Sequence, residues 1–153
     1  KYAHELAATL PSLDRYFLDR HRYPIVIFHS PNFARAERCN ATHSASYLDL
    51  IRAHTKSEVI FEEVSPDFRP EMRAKYGERG PKSTCTYRKY PLGYYHMCRF
   101  FNYLMFHSQT LKQFEYVWRM DGNIALSRPI TCDPFAVLRD TRALYGFYRW
   151  DHQ

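Results

Sequence analysis

Glycine is scarce, 5 in 153 residues, and proline is moderate at 9. That excludes collagen and low-complexity linkers. No apolar run reaches 18 residues and no signal peptide opens the chain, so no segment reads as a membrane span. Internal repeats are absent. The four cysteines, Cys39, Cys85, Cys98 and Cys132, form no CxxC pair, which argues against a zinc ribbon or thioredoxin motif. Their even count allows two disulfides, in any of three connectivities, without requiring them. None of the eight histidines falls in an HExxH pattern, and each reads as structural or surface. The chain begins at Lys1, not Met, and is read as a piece of a longer protein.

Apolar residues make up 45% and aromatic residues 17%, with 13 Tyr, 11 Phe and 2 Trp. Aromatics at this density bury enough surface to offset chain entropy, which excludes intrinsic disorder. A chain of this length buries about 68–70% of its unfolded surface and needs no disulfide or metal to hold a core. The net charge is +6 with His neutral. A mild positive field attracts anions, but an inert basic surface gives the same count. The densest basic stretch, Arg69 to Arg88, is mixed with acids and makes a weak nucleic-acid stripe. Tyr87-Arg88-Lys89-Tyr90 has the interleaving that stacks single-stranded bases, yet no RRM or KH signature accompanies it. The tripeptide Asn40-Ala41-Thr42 is an N-glycosylation sequon, which points weakly to a secretory lumen.

The pattern over Tyr2 to Arg20 predicts a helix with Leu6, Leu10, Leu13, Tyr16 and Phe17 on one face, interrupted at Pro11. Ser12 or Thr9 then serves to cap a restart. The apolar run Tyr23 to His29 predicts a buried strand. A helix over Ser44 to His54 and a strand over Val59 to Val64 follow. The alternation α-β-α-β predicts an α/β layered fold with a mainly parallel sheet. Ser65 to Lys89 reads as a long loop or short helical pieces. A largely buried helix is expected over Tyr94 to Phe114, a strand over Tyr116 to Met120, and an extended piece over Ile124 to Pro129. Asp133-Pro134-Phe135 starts a helix to about Arg142, with Asp133 as N-cap and Pro in the first turn. Ala143 to Trp150 reads as a last strand. The expectation is one domain over 1–153.

The most informative segment is Val117 to Asn123. It places Asp121 and Asn123, separated by Gly122, past the carboxyl end of an expected strand, where α/β sheets bind ligands. A carboxylate there holds a hard divalent cation, and the cation holds a diphosphate. In this reading Gly122 lets the backbone turn sharply and a ligand approach. Asp-Gly-Asn is equally good β-turn chemistry. Within Tyr94 to Phe100, His96 and Cys98 stand two apart and face apart on a helix, so Cys98 reads as a small buried hydrophobe. Arg99, amid apolar neighbours, calls for a carboxylate or phosphate partner.

Four segments occur in order at matching spacing: Tyr94-x-His-Met-Cys-Arg-Phe100, Tyr116-x-Trp-Arg119-x-Asp-x-Asn123, Cys132-Asp-Pro-Phe135 and Tyr145-Gly-Phe147. They resemble the fungal α-1,2-mannosyltransferases of glycosyltransferase family 15. The resemblance covers most of the chain and is strongest from Tyr94 to Phe147. It implies a GT-A fold, a Rossmann-like α/β domain of which this chain is an incomplete piece. It implies transfer of mannose from GDP-mannose to a mannoside or glycoprotein acceptor with retention, using Mn²⁺, and no nucleic-acid partner. The implied place is the Golgi lumen, as a type II membrane protein anchored outside this segment. By position, Asp121 matches the family's metal-binding acid and Asn123 the second acid of that motif. Arg119 matches a site arginine, and Tyr94 a tyrosine beside the reacting sugar. The family's Glu-Pro-Asp is Asp-Gly-Asn here, which shortens one ligand and removes a charge from the other. That departure motivates an alternative, a catalytically inactive sugar- or nucleotide-binding relative.

Overall fold

The computed structural model describes residues 2–34, 46–64, 74–75 and 92–146. The Arg69 to Arg88 stretch (Lys75 apart), Tyr87 to Tyr90, Cys39, Cys85, the Asn40 sequon and residues 147–150 lie outside the described residues, as does most of the expected loop from Ser65 to Lys89. Two compact units are present. The first comprises Lys1–Ile25, Tyr47–Val59 and Trp118–Gln153; the second comprises Val26–Ser46 and Ile60–Val117.

In the first unit the chain opens with helix α1 (Tyr2–Leu13). A five-residue π-helical turn (Asp14–Leu18) and a short helix α2 (Asp19–His21) continue it. Pro11 was expected to interrupt the run, but the helix passes through it. Thr9 and Ser12 do not cap a restart. Their hydroxyls donate back to helix carbonyls, Thr9 to Leu6 O at 2.9 Å and Ser12 to Thr9 O at 2.8 Å. The buried stripe is Ala3, Ala7, Leu10, Asp14, Phe17 and Leu18, at helical spacing. It shares Leu10 and Phe17 with the expected face; Leu6, Leu13 and Tyr16 are only half-buried. Helix α4 (Tyr47–Arg52) packs against α1, with Ile51 fully buried and Tyr47 edge-on to His4 at 6.1 Å.

Asp14 is the polar member of this stripe, with 5% of its surface exposed. A carboxylate at such a position requires hydrogen-bond donors. The turn after α4 supplies three. Thr55 and Ser57 hydroxyls donate to Oδ1, both at 2.9 Å, and the Lys56 backbone N–H donates to Oδ2 at 2.8 Å. Asp14 thus ties the first helix to the entry of the second strand.

The strands β1 (Ile25–His29) and β2 (Val59–Glu63) pair in parallel. The Ile25 N–H donates to Glu58 O and the Val64 N–H to His29 O, both at 2.8 Å. Helix α3 (Pro31–Ala34) follows β1. The two-stranded sheet bears out the α/β reading among the described residues.

In the second unit, helix α5 (Leu92–Asn102) packs Phe100 on Phe28 of β1, 4.8 Å between rings. The long helix expected to Phe114 stops here. Tyr103 leaves helical backbone geometry (φ −146°, ψ −57°), and two 3₁₀ turns follow, Leu104–His107 and Leu111–Gln113. Buried Ser108 accounts for the second turn. Its hydroxyl donates to Glu62 at 2.6 Å and accepts the Leu111 N–H at 3.0 Å. Nor is α5 largely buried, since Tyr94, Tyr95 and Met97 are each 38–40% exposed.

Tyr116 to Met120 forms no strand, and neither does Ile124 to Pro129, where Arg128 stands at a bend. A strand exists only through a neighbour's ladder, and no described residue supplies one here. Residues 143–146 of the last expected strand likewise form no strand. Helix α6 (Pro134–Thr141) forms as expected, with the Asp133 carboxylate accepting the Phe135 N–H at 3.0 Å. Arg142 ends it at φ 55°.

Asp14→Asn places an NH₂ group against hydroxyl and amide donors. The expected loss is about 2–4 kcal/mol, read by urea denaturation. A loss under about 0.5 kcal/mol, the range of a neutral surface change, would rule out the anchoring role.

Candidate functional site

The Asp121 segment belongs to the first unit and hangs from core residues at both ends. At one end the Trp118 ring meets buried Phe17 edge-on at 5.5 Å. At the other, Gly122 lies against Leu6, and its carbonyl accepts the Thr9 hydroxyl at 3.1 Å. Between them the Ile124 N–H donates to Asp121 O at 3.1 Å, closing a β-turn over Asp121–Ile124. The turn reading of Asp-Gly-Asn therefore holds, and a ligand role for the same side chains is compatible with it. Gly122 does not adopt the left-handed conformation, and a Cβ there would meet Leu6 only in ordinary contact at 3.7 Å. The sharp turn is thus not what requires glycine.

Asp121 is 57% exposed, and Arg119 Nη2 lies 3.2 Å from its Oδ1. Asn123 is exposed on the same turn. The structure thus brings Arg119, Asp121 and Asn123 together. Tyr94 stands in the second unit, on the first turn of α5, edge-on to Tyr95 at 6.3 Å. An exposed carboxylate beside a carboxamide supplies hard oxygen donors, which suits a divalent cation shared with phosphate oxygens. No group of three or more His, Cys, Asp or Glu among the described residues could hold a metal ion by itself.

A second polar cluster in this unit was not legible in advance. Besides capping α6, Asp133 accepts the Tyr23 hydroxyl at 2.6 Å, and His21 Nδ1 lies 3.7 Å from its Oδ2. Tyr23 stacks near Phe17 at 6.0 Å and meets Phe135 edge-on at 4.7 Å. The hydrogen bond to Asp133, then burial and the carboxylate's charge, raises the Tyr23 hydroxyl pKa against the opposing charge of Arg139. For Asp133, burial pushes upward. The Tyr23 hydroxyl, the N–H groups of Phe135 and Ala136 and the His21 charge outweigh it, so the carboxyl sits below the usual range. The N-cap was readable from Asp-Pro-Phe; Tyr23, 110 positions away, carried no local signal. An open hollow of about 490 Å³ lined by Leu18, Asp19, Arg22, Lys56, Ser57 and Glu58 contains none of the predicted residues. Cys98 and Cys132 are free thiols, and Arg99 is half-buried in the last turn of α5.

The family model of the glycolipid 2-alpha-mannosyltransferases matches residues 3–149. The chain belongs to that family, glycosyltransferase family 15. It is 24% identical over 149 residues to the O-glycoside alpha-1,2-mannosyltransferase homolog 4 of Schizosaccharomyces pombe, covering 93% of this chain and 31% of that protein. The probable mannosyltransferase KTR4 of Saccharomyces cerevisiae is 33% identical over 54 residues, 35% of this chain and 12% of that protein. The O-glycoside alpha-1,2-mannosyltransferase homolog 3 of Schizosaccharomyces pombe is 34% identical over 58 residues, 38% of this chain and 15% of that protein. The chain thus spans less than a third of the length of these relatives. No solved structure matches it. No helix among the described residues is long and apolar enough to cross a membrane.

Two outcomes follow. Tyr23→Phe removes a donor to a charged acceptor and is expected to cost about 1.5 kcal/mol at neutral pH. Because the Asp133 pKa is lowered on folding, its contribution is present above the ordinary aspartate value, about 3.9, and fades as pH falls through the folded value. The raised Tyr23 pKa adds stability that is present below about pH 10 and fades as pH rises through the folded value. Denaturation from pH 2 to 11 in both proteins checks this; parallel curves would contradict it. Gly122→Ala is expected to fold with stability within about 1 kcal/mol of the parent, measured by thermal melting.

Proposed function

We propose that this chain is part of the GT-A catalytic domain of a retaining α-1,2-mannosyltransferase that uses GDP-mannose. The observation that carries the reading is the family match over residues 3–149, with Asp121 presented on an exposed turn beside Arg119. The names of the relatives support mannosyl transfer and an α-1,2 linkage. The family resemblance carries the donor, retention, Mn²⁺ and the Golgi setting, with an acceptor bearing a mannoside hydroxyl.

In this reading Asp121 and Asn123 would hold Mn²⁺ through their side-chain oxygens, and the cation would supply charge neutralisation at the leaving GDP. The Arg119 guanidinium, 3.2 Å from Asp121, would offer donors to a diphosphate oxygen, a pairing that its planar fork favours. Tyr94 orients a donor or acceptor hydroxyl near the anomeric carbon.

A second reading rests on Asn123, which stands where the family carries an acid. With one charge fewer, cation affinity falls, and the protein becomes a nucleotide-sugar binder without turnover.

The full-length protein decides between these readings. GDP binding by calorimetry is expected with Mn²⁺ and to weaken when the metal is chelated. Release of GDP from GDP-mannose supports the enzyme; binding without release supports the second reading; no binding in either condition sinks both. Asp121→Ala is expected to lower transfer by about 100-fold or more. Its melting temperature should hardly move, because an exposed ion pair contributes about 0–1 kcal/mol.

A further inference from the structure

Helix α1 and its π-helical continuation carry a row of hydrogen-bonding groups at helical spacing, Thr9, Ser12 and Tyr16, followed by Arg20 of α2. Each meets the segment that begins at the Asp121 turn, and the contacts advance in step. Thr9 Oγ1 donates to Gly122 O at 3.1 Å, and Ser12 Oγ accepts the Leu126 N–H at 3.0 Å. Tyr16 O accepts the Ile130 N–H at 3.0 Å, and Arg20 Nη1 reaches Thr131 O at 3.5 Å. The segment lacks a sheet partner among the described residues. These contacts take over part of the work of a strand ladder.

The two hydroxyls nearest the turn have different proton arithmetic. The Thr9 hydroxyl has one proton and two acceptors, Leu6 O at 2.9 Å and Gly122 O at 3.1 Å. Ser12 donates to Thr9 O and accepts from Leu126, so both sides of its hydroxyl are used. Leu6 closes the clasp by apolar contact with Gly122. The grip falls on Gly122, between Asp121 and Asn123, and on Leu126, two residues past the turn. It therefore fixes the backbone on which both side chains stand without touching either.

We propose that Thr9 and Ser12 are positioning residues for the Asp121–Asn123 turn, holding its oxygen ligands in the orientation that a divalent cation and a diphosphate require. This rests on the function proposed above. Loss of outer supports of this kind typically weakens metal affinity by about 10- to 100-fold. The isosteric Thr9→Val removes the hydroxyl and keeps the shape; Ser12→Ala removes the acceptor of the Leu126 N–H.

The test uses the full-length protein and reads three things: the Mn²⁺ concentration that half-saturates GDP binding, amide hydrogen exchange at Leu126 and Ile124, and the melting temperature. The Thr9→Val/Ser12→Ala double variant is expected to raise the Mn²⁺ requirement by about tenfold and to speed exchange at Leu126. Thr9→Ser keeps the hydroxyl and is expected to leave both near the parent values. Ile51→Val, a destabilising change in the same core, is expected to leave the Mn²⁺ requirement alone. Should the double variant fail to fold, Ser12→Ala alone is read the same way. An unchanged Mn²⁺ requirement in the clasp variant, or an equal rise in Ile51→Val, overturns the positioning role and leaves the proposed function standing. If the parent protein binds no GDP with Mn²⁺, the proposed function fails, and this role fails with it.

Discussion

The first unit depends on a buried carboxylate. Asp14 occupies a buried place on the otherwise apolar stripe of the first helix. Its burial is tolerable because one turn of chain, Thr55 to Ser57, surrounds it with three donors. The trade is specificity against apolar burial. A leucine would bind any oily surface, whereas Asp14 accepts only a segment whose hydroxyls and amide converge on it. That segment leads directly into β2, so the same contact places the strand entry. The π-helical turn coincides with it: the helix widens at the residue that must reach sideways.

From this anchored helix the candidate site is suspended. The Asp121 turn is gripped through backbone groups and one aromatic edge, while its charged side chains stay in solvent. Such an arrangement separates support from chemistry. Thr9, Ser12, Leu6 and Phe17 hold the segment, and Arg119, Asp121 and Asn123 remain available to a ligand. Turn geometry and the proposed ligand role are therefore compatible in Asp-Gly-Asn. A β-turn is the means by which two oxygen-bearing side chains are presented one residue apart.

Legibility varied with the range of the forces involved. The parallel pair β1 and β2 was readable because continuous apolar runs between helices specify buried strands locally. The Asp133 cap was readable because its donor lies two residues away. Tyr116 to Met120 has a strand's composition but no paired neighbour among the described residues, and pairing is a property of two segments. The helical pattern runs past Asn102 in the sequence, but the backbone leaves it at Tyr103, and further on Ser108 bonds Glu62, a partner 46 positions back that no local pattern marks. The stripe on α1 departs from the apolar pattern at two places: Leu6 is only half-buried, against Gly122, and the polar Asp14 is buried.

The sequence by itself determined the family, since spaced side-chain motifs survive in the linear order whatever the fold does with them. It also determined the local elements, whose hydrogen bonds span a few residues. Only the tertiary structure decided which residues hold the Asp121 segment. Thr9 and Ser12 meet the Asp121 segment across more than 110 positions. Tyr23 meets Asp133 across a similar distance. Hydroxyl groups at exposed-looking helix positions carry no periodic or compositional mark of such a partner. Their role exists only once the folded chain brings a donor within 3 Å or so of an acceptor, the range at which a hydrogen bond forms.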